Sequence, residues 1–318
     1  RRCVYETGIG YVFAQIIEQI SHLSLDAKEE SQFYSFAQQY GLGKGIRKFG
    51  KKGKEAAIKE MKQLHDRTVF IPIDVSKLTK KERDEAMESL MFLVEKRDGR
   101  VKGRACANGS IQKANAAPGE SASPTCMTES VMITAPIDAY EKRDVMTSDV
   151  PNAFVQTSIP HERKEPGKRI VMKIRGPMVD LLLEIDRKKY GPFVVHDNKG
   201  NRILYVTMNM ALYGMIQSSL LYYNKFVKDI TKLGFKVNAY DPCVANMNVN
   251  GKQHTLTWHV DDIKSSHVDP KVNDQFHDWL QKMYGDVVEV KSTRGKIDDY
   301  LGMILDYSIE GKVGIDMR

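Results

Sequence analysis

An α+β fold, organised around a β-α-β-β sheet with helices on one face, is what this sequence of 318 residues predicts. Three observations carry that expectation. Thr255, Thr257 and His259 alternate with Leu256, Trp258 and Val260, the two-residue period of a strand with unlike faces. That run meets a second one, Ile263 to Val268, at Asp261-Asp262, so a hairpin with an acidic tip is expected there. Leu220, Tyr223, Val227 and Ile230, then Phe276, Trp279, Leu280 and Met283, have the spacing of amphipathic helices stopped at Gly234 and Gly285.

The remaining elements follow in chain order. Val12, Ile16, Ile17 and Ile20 have helical spacing, and Phe33 to Tyr40 offers a second helix. Lys44 to Lys54 is basic and punctuated by glycine, which reads as a solvated loop or a phosphate contact. Ile58, Met61 and Leu64 line a short helix ending near His65. Thr79 and Glu82 form a capping box for a helix whose Ala86, Leu90 and Leu93 point inward. Asp98-Gly99 turns a hairpin between Met91–Lys96 and Val101–Ile111. After a loop over 113–124, Thr128 caps a helix to Tyr140 that contains Pro136. Arg143 to Asp149 reads as a strand, with Pro151 at the first position of a following helix. A charged loop over 160–169 precedes a strand at Ile170–Ile174, a helix at Val179–Ile185 and a hairpin turned at Asn198–Asn201. Asp299–Tyr307 and Lys312–Met317 close the chain as two strands turned at Glu310-Gly311.

Composition bounds the function. The chain is 42% hydrophobic and 28% charged, with no apolar run of membrane-spanning length and no signal-peptide pattern. An intracellular protein, cytoplasmic or nuclear and not secreted, is therefore expected. Beginning Arg1-Arg2-Cys3 rather than with Met, it reads as a processed product or fragment. Cys3, Cys106, Cys126 and Cys243 are scattered, without metal or disulfide spacing, and read as reduced thiols. A net charge of +7 favours polyanionic partners.

The adjacent carboxylates Asp261 and Asp262 repel each other unless a cation sits between them; otherwise they are an acidic surface turn. Asp149 ends a strand that such a sheet could bring beside them. Three carboxylates around two Mg²⁺ ions would make a phosphoryl-transfer site. Lys102 and Arg104, two apart on one strand, would suit a triphosphate or be solvated.

At these residues the sequence resembles the reverse transcriptase of copia-type long-terminal-repeat retrotransposons. Val101-Lys-Gly-Arg-Ala-Cys-Ala-Asn-Gly-Ser-Ile-Gln112 resembles the family's fingers strand, and Ser148-Asp-Val-Pro-Asn-Ala-Phe154 its D-V-x-x-A-F segment. Ala211-Leu-Tyr-Gly214, Leu233-Gly-Phe-Lys236 with Asp241-Pro242, Trp258-His-Val-Asp-Asp262 and Tyr300-Leu-Gly-Met303 follow in the family's order. His259 stands where the family has Tyr, Asn108 near a usual Lys, and Ser218-Ser219 in place of A-P.

The resemblance spans roughly residues 60–310. It implies a right-hand polymerase fold: fingers, a ferredoxin-like palm, and a thumb largely missing. Residues 1–60 would be an extension or linker and 61–318 the fingers and palm. It implies an RNA-directed DNA polymerase using two Mg²⁺ ions, with Mn²⁺ as a substitute. Asp149 and Asp261 would hold both metals, with Asp262 supporting and the Val150 carbonyl completing the oxygen set. Lys102 and Arg104 would bind the triphosphate, Phe154 would act as a sugar gate, and Tyr213 and Gly214 would line the nucleotide pocket. Leu301, Gly302 and Met303 would support the primer. The implied partners are an RNA or DNA template-primer, deoxynucleoside triphosphates, and RNase H and integrase modules of the same polyprotein, with no membrane. A catalytically defective fragment that only binds nucleic acid, and a palm-like cyclase or nuclease, stay open as alternatives.

Overall fold

The computed structural model describes residues 39–96, 98–113 and 122–317. The helices expected before residue 39, most of the loop over 113–124 and the turn residue Arg97 lie outside the described residues. The chain divides into two compact units. No helix among the described residues is long and apolar enough to cross a membrane.

The first unit comprises residues 39–57 and 91–104 of the described chain. Strand β1 (Gln39–Gly41) leads into helix α1 (Leu42–Asp66), whose N-terminal half lies in this unit. The run Lys44–Lys54 is thus helical and not a loop, with one non-helical residue at Gly50 (φ 55°, ψ −129°). Its glycines have a packing reason. A β-carbon on Gly45 would sit 2.8 Å from Leu93 Cδ1, and one on Gly53 3.3 Å from the same atom. The helix therefore lies flush on its neighbouring strand only because those positions lack side chains.

In the second unit, β2 (Phe70–Pro72) precedes helix α2 (Lys80–Asp84). The capping box is formed: Glu82 N donates to Thr79 Oγ1 at 3.2 Å and Thr79 N to Glu82 Oε2 at 2.9 Å. The helix it starts stops after five residues. Met87–Leu90, expected as helix, is instead strand, and it runs on into the expected hairpin arm at Met91–Lys96 to form β3 (Met87–Glu95), paired through the Asp98-Gly99 turn with β4 (Val101–Ala107). Leu90 is 38% exposed while Met91 and Leu93 are buried, so the two-residue period decides. A short helix, Ser110–Lys113, ends β4 before Ile111.

Helix α3 (Thr128–Tyr140) carries Pro136 as expected, but Met127 holds the cap position and Thr128 is its first residue. Strand β5 (Asp144–Asp149) is followed by a single 3-10 turn, Ala153–Gln156, where a longer helix was expected. Next come β6 (Val171–Arg175), α4 (Pro177–Ile185), β7 (Val194–His196) and β8 (Arg202–Met208). These surround β8: β6, β7 and β2 all pair antiparallel with it.

Helix α5 (Ser218–Lys232) buries Ile230 as expected, but Tyr222 and Phe226 take the inward positions expected for Leu220, Tyr223 and Val227, which are half-buried. The aromatic rings win the inward positions because Phe226 meets Trp258 edge-on at 5.3 Å and Tyr222 meets Tyr284 at 6.4 Å. Strands β9 (Lys236–Val237), β10 (Val244–Val249), β11 (Lys252–His259) and β12 (Asp262–His267) lead to helix α6 (Pro270–Tyr284) and β13 (Lys291–Arg294). They form a six-stranded sheet in the order β13-β5-β12-β11-β10-β9.

Helices cover both faces of this sheet at one end, not one face as expected. Alternate residues of β12 show it: Ser265 Oγ donates to Asn273 of α6 at 2.7 Å, whereas Ser266 Oγ donates to Asp138 of α3 at 2.6 Å. The expected strand over Asp299–Tyr307 is two strands, β14 (Ile297–Tyr300) and β15 (Met303–Asp306). Leu301 (φ 54°) and Gly302 (φ 76°) turn between them, a conformation that a leucine rarely announces in sequence. Strand β16 (Gly314–Asp316) completes a three-stranded sheet.

Asp298 of β14 is 3% exposed, and its Oδ2 has no hydrogen-bond partner among the described residues. Burial, reinforced by Asp144 and opposed by Lys264, pushes its carboxyl up to about 6. The fold thus binds a proton here that the unfolded chain, titrating near the ordinary carboxylate value, releases earlier. This contribution to stability is complete below pH ~4 and is lost as pH rises through 6. Urea titrations should find Asp298→Asn more stable, relative to the parent, at pH 7 than at pH 4. The relative gain is expected to reach about 2–3 kcal/mol.

Candidate functional site

The acidic hairpin joins β11 to β12 with only two residues at its tip. His259 pairs with Asp262, leaving Val260 and Asp261 as the turn. Val260 takes φ 57°, a left-handed conformation that costs a β-branched residue about 1–3 kcal/mol. A backbone hydrogen bond secures the strained tip: Val150 N donates to Asp261 O at 3.0 Å. Strand β5 therefore ends against the turn itself.

Registers set what shares the face. Asp149 is the cross-strand partner of Asp262 on one side and of Lys291 on the other. Partners across an antiparallel ladder project to the same side. One row thus crosses four strands: Lys291, Asp149, Asp262, His259. Beneath it lies a second row, Thr293, Thr147, Lys264 and Thr257. The Thr147 and Thr293 hydroxyls meet at 2.6 Å, and Thr257 Oγ1 donates to Tyr300 OH at 3.1 Å.

Lys264 is 1% exposed and forms an ion pair with the fully buried carboxylate of Asp138. Arg143 Nη1 lies 3.6 Å from the same carboxylate and donates to Thr255 Oγ1 at 2.9 Å. A polar support, rather than an apolar one, stands directly under the acidic row.

Partial burial pushes the Asp262 carboxyl up to about 6, with Asp261, Asp149 and Asp299 adding negative potential. Below the turn, the Tyr222 hydroxyl is buried and has no partner among the described residues. Burial holds it well above the ordinary phenol range, and Asp261, Tyr213 and Asp149 add to the shift. The donor chemistry of Asp149, Asp261 and Asp262, hard carboxylate oxygen in a concentrated negative field, fits a hard divalent cation. As placed, no three His, Cys, Asp or Glu side chains among the described residues are grouped so that they could hold a metal ion.

Val150 is fully buried behind this row. Phe154, on the 3-10 turn that follows, is half-buried, with its ring 4.6 Å from that of Tyr213 and 6.3 Å from that of Tyr222. Gly214 follows Tyr213 with φ 87°, and a β-carbon there would lie 2.0 Å from Ala107 O. Gly109 is bound equally tightly, since its β-carbon would meet Gly214 O at 2.2 Å. Ala107 N donates to Tyr213 O at 2.7 Å, closing this backbone junction. Ser218, one of the departures from the family pattern, is buried and donates to Leu212 O at 2.6 Å. Leu301 and Gly302 form the β14–β15 turn, and Met303 is buried in the core that contains Trp258.

Lys102 and Arg104 stand exposed on alternate positions of β4, in the first unit. Sequence reasoning missed Lys291, Lys264, Asp138 and Tyr222. Alternation along Ile263–His267 could have placed Lys264 on the face of Asp262, but nothing local marks it as buried.

Removing one member of the buried pair strands the other. Asp138→Ala should cost about 3–5 kcal/mol in urea denaturation. The double change Asp138→Leu with Lys264→Met should cost less than Asp138→Ala alone.

No family model matches the chain, and no curated protein does. Among solved structures, the chain is similar to the foamy viral protease-reverse transcriptase in complex with double-stranded DNA, at 15% identity and a TM-score of 0.45. That match covers 84% of this chain and 35% of the viral one. It is also similar to telomerase from Candida albicans with a fragment of telomeric RNA, at 12% identity and a TM-score of 0.41 over 78% of this chain and 49% of that one. Apo telomerase from Candida tropicalis aligns at 11% identity and a TM-score of 0.43, covering 82% and 53% of the two chains. The chain therefore spans between about a third and about half of these proteins' lengths.

Proposed function

We propose that this chain is the polymerase portion of a copia-type reverse transcriptase, extending a DNA primer on an RNA or DNA template from deoxynucleoside triphosphates. The observation that carries the proposal is the cross-strand pairing of Asp149 with Asp262 next to the turn residue Asp261. Carboxylates 113 positions apart in the chain are held at one strand end by backbone register. The motif order in the sequence supports the same reading.

Asp149 and Asp261 would hold Mg²⁺ or Mn²⁺, with Asp262 and the Val150 carbonyl as further oxygens. Two such ions, when bound, would supply activation of a primer 3′-hydroxyl and charge neutralisation on the leaving pyrophosphate. The chain's own residues position and select. Asp262, whose carboxyl is raised by burial and by its acidic neighbours, would be relieved by an added positive charge. Phe154 presents a ring held by Tyr213 and Tyr222, a firm wall against which a ribose 2′-hydroxyl would collide. His259 closes the row opposite Asp262 with an aromatic ring and no hydroxyl.

Primer extension on a poly-rA template tests the reading. The parent chain should extend oligo-dT with Mg²⁺ or Mn²⁺, and Asp149→Asn or Asp262→Asn should lower the rate by on the order of 10³. A parent that binds template-primer without extending it would leave only a binding protein.

Phe154→Ala separates gate from core. As a gate, its loss should raise the ratio of ribonucleotide to deoxynucleotide incorporation while deoxynucleotide use falls modestly. Were Phe154 only a packing residue, both activities would fall together with a cavity cost of about 3–5 kcal/mol. The ratio is expected to move, because the ring is only half-buried and its truncation removes less core packing than that of a fully buried ring.

A further inference from the structure

The charge of this chain is not spread evenly. Residues 39–57 and 91–104 hold eleven Lys and Arg against three Asp and Glu, so their net charge exceeds the +7 of the entire chain. The remainder is close to neutral. Over half of those cations are on α1: Lys44, Arg47, Lys48, Lys51, Lys52 and Lys54 are all exposed, beside the single acid Glu55.

The opposite side of that helix is committed to packing. Leu42, Gly45, Gly53 and Ala57 are buried, with the two glycines fitted against Leu93. A flexible basic loop would disperse its charges. Two helical segments that meet at Gly50 and are anchored flush on a strand instead hold six of them within the eleven residues from Lys44 to Lys54, about three turns' worth of chain. Mutual repulsion among them persists in the folded unit, which a polyanion relieves by releasing its counterions.

Lys48 shows that the surface is built and not merely solvated. Its ammonium donates to Tyr40 OH at 2.6 Å and lies 4.3 Å from the Tyr40 ring and 5.4 Å from that of Phe49. Tyr40 and Phe49 in turn meet edge-on at 5.6 Å. These rings are engaged with Lys48 and with each other, so recognition here runs through charge and not through base stacking.

We infer that the exposed face of α1 is a nucleic-acid site of its own, binding the phosphodiester backbone without regard to base sequence. The choice of RNA or DNA as the polyanion rests on the polymerase reading; the existence of a polyanion site does not. The site's role is to keep the chain on nucleic acid through contacts that the acidic row does not supply.

The test is equilibrium binding of the whole chain to labelled 20-nucleotide RNA and to a 20-base-pair DNA duplex, followed by anisotropy over a salt series. Four neutral substitutions, Lys44→Gln, Arg47→Gln, Lys51→Gln and Lys52→Gln, leave Lys48 and its rings intact. The slope of log affinity against log salt should fall in magnitude by about 3. Affinity near 0.1 M salt should drop at least tenfold. The two ligand arms show whether single-stranded RNA or duplex DNA is the stronger source of the same phosphate chemistry.

Lys44→Arg, Lys51→Arg and Lys52→Arg should keep the parental slope, which distinguishes lost charge from a damaged fold. An unchanged slope in the Gln variant, with parental melting, overturns the inference. So does competition by polyglutamate as effective as by RNA, which would mark an acidic protein as the occupant. Asp262→Asn should retain full α1-dependent binding. A chain inactive in primer extension that still loses affinity in the Gln variant would refute the polymerase reading and leave this site standing.

Discussion

Everything at the acidic face depends on the register of β5 against β12. Six consecutive pairs, from Asp262 with Asp149 to His267 with Asp144, fix it. A slip by one residue would send Asp149 to the face of Met146 and Ile263 and bring Ser148 forward, because side chains alternate with a strict period of two. Apolar burial guards against that slip from the opposite face. Met146 and Ile263 belong to the core with Trp258, Phe226 and Leu280, and moving them outward would expose that core. Hydrophobic packing on one face thus decides where the carboxylates stand on the other.

That placement is costly, and the structure distributes the cost locally. The turn takes a valine into the left-handed region, where Asn or Gly would be easier, and holds it with a hydrogen bond from Val150. Asp262 is pushed toward its neutral form by desolvation first and by neighbouring carboxylates second. Under it, Lys264 sits in the sheet where a threonine or valine would fold more simply. Its ammonium is matched by Asp138, which also accepts from Ser266 and lies near Arg143. A buried pair like this is a poor source of net stability but a strong specifier of register. Any shift of β12 past α3 would leave the lysine and the aspartate each uncompensated.

Much of this could be read from sequence wherever local chemistry and tertiary packing agree. The alternation at Thr255–His259 (which stops one residue short of the expected Val260), the Asp98-Gly99 turn and the Thr79–Glu82 box all appear in the structure because each is decided within a few residues. Failures occur where a distant neighbour decides. Lys44–Lys54 looks like a loop until Leu93 is placed under Gly45 and Gly53. Ala86 and Leu93 have helical spacing, but Met172 and Lys173 of β6 recruit Met87 and Glu88 into a sheet. Likewise, Leu301 gives no sign of a left-handed turn. Of the candidate site, the sequence shows the three aspartates; Lys291, Lys264 and Tyr222 become visible only once strands are in register.

The motifs that make the sequence distinctive are also the segments that touch. Ala107 of the Val101–Gln112 segment donates its amide to Tyr213, and the glycines at 109 and 214 permit that approach by having no side chain. Val150, within Ser148–Phe154, donates to Asp261. Thr257, beside the hairpin tip, donates to Tyr300 of the last motif. Asp241, after Leu233–Lys236, accepts from Met127 N at the start of α3, the helix that supplies Asp138 to Lys264. Residues 43 to 114 positions apart are therefore coupled through backbone and side-chain hydrogen bonds, and the junction at Gly109 and Gly214 has little tolerance for added atoms. Side chains at such junctions are constrained by geometry before any chemistry is asked of them. This explains why short, individually weak sequence motifs in fixed order can mark one three-dimensional site.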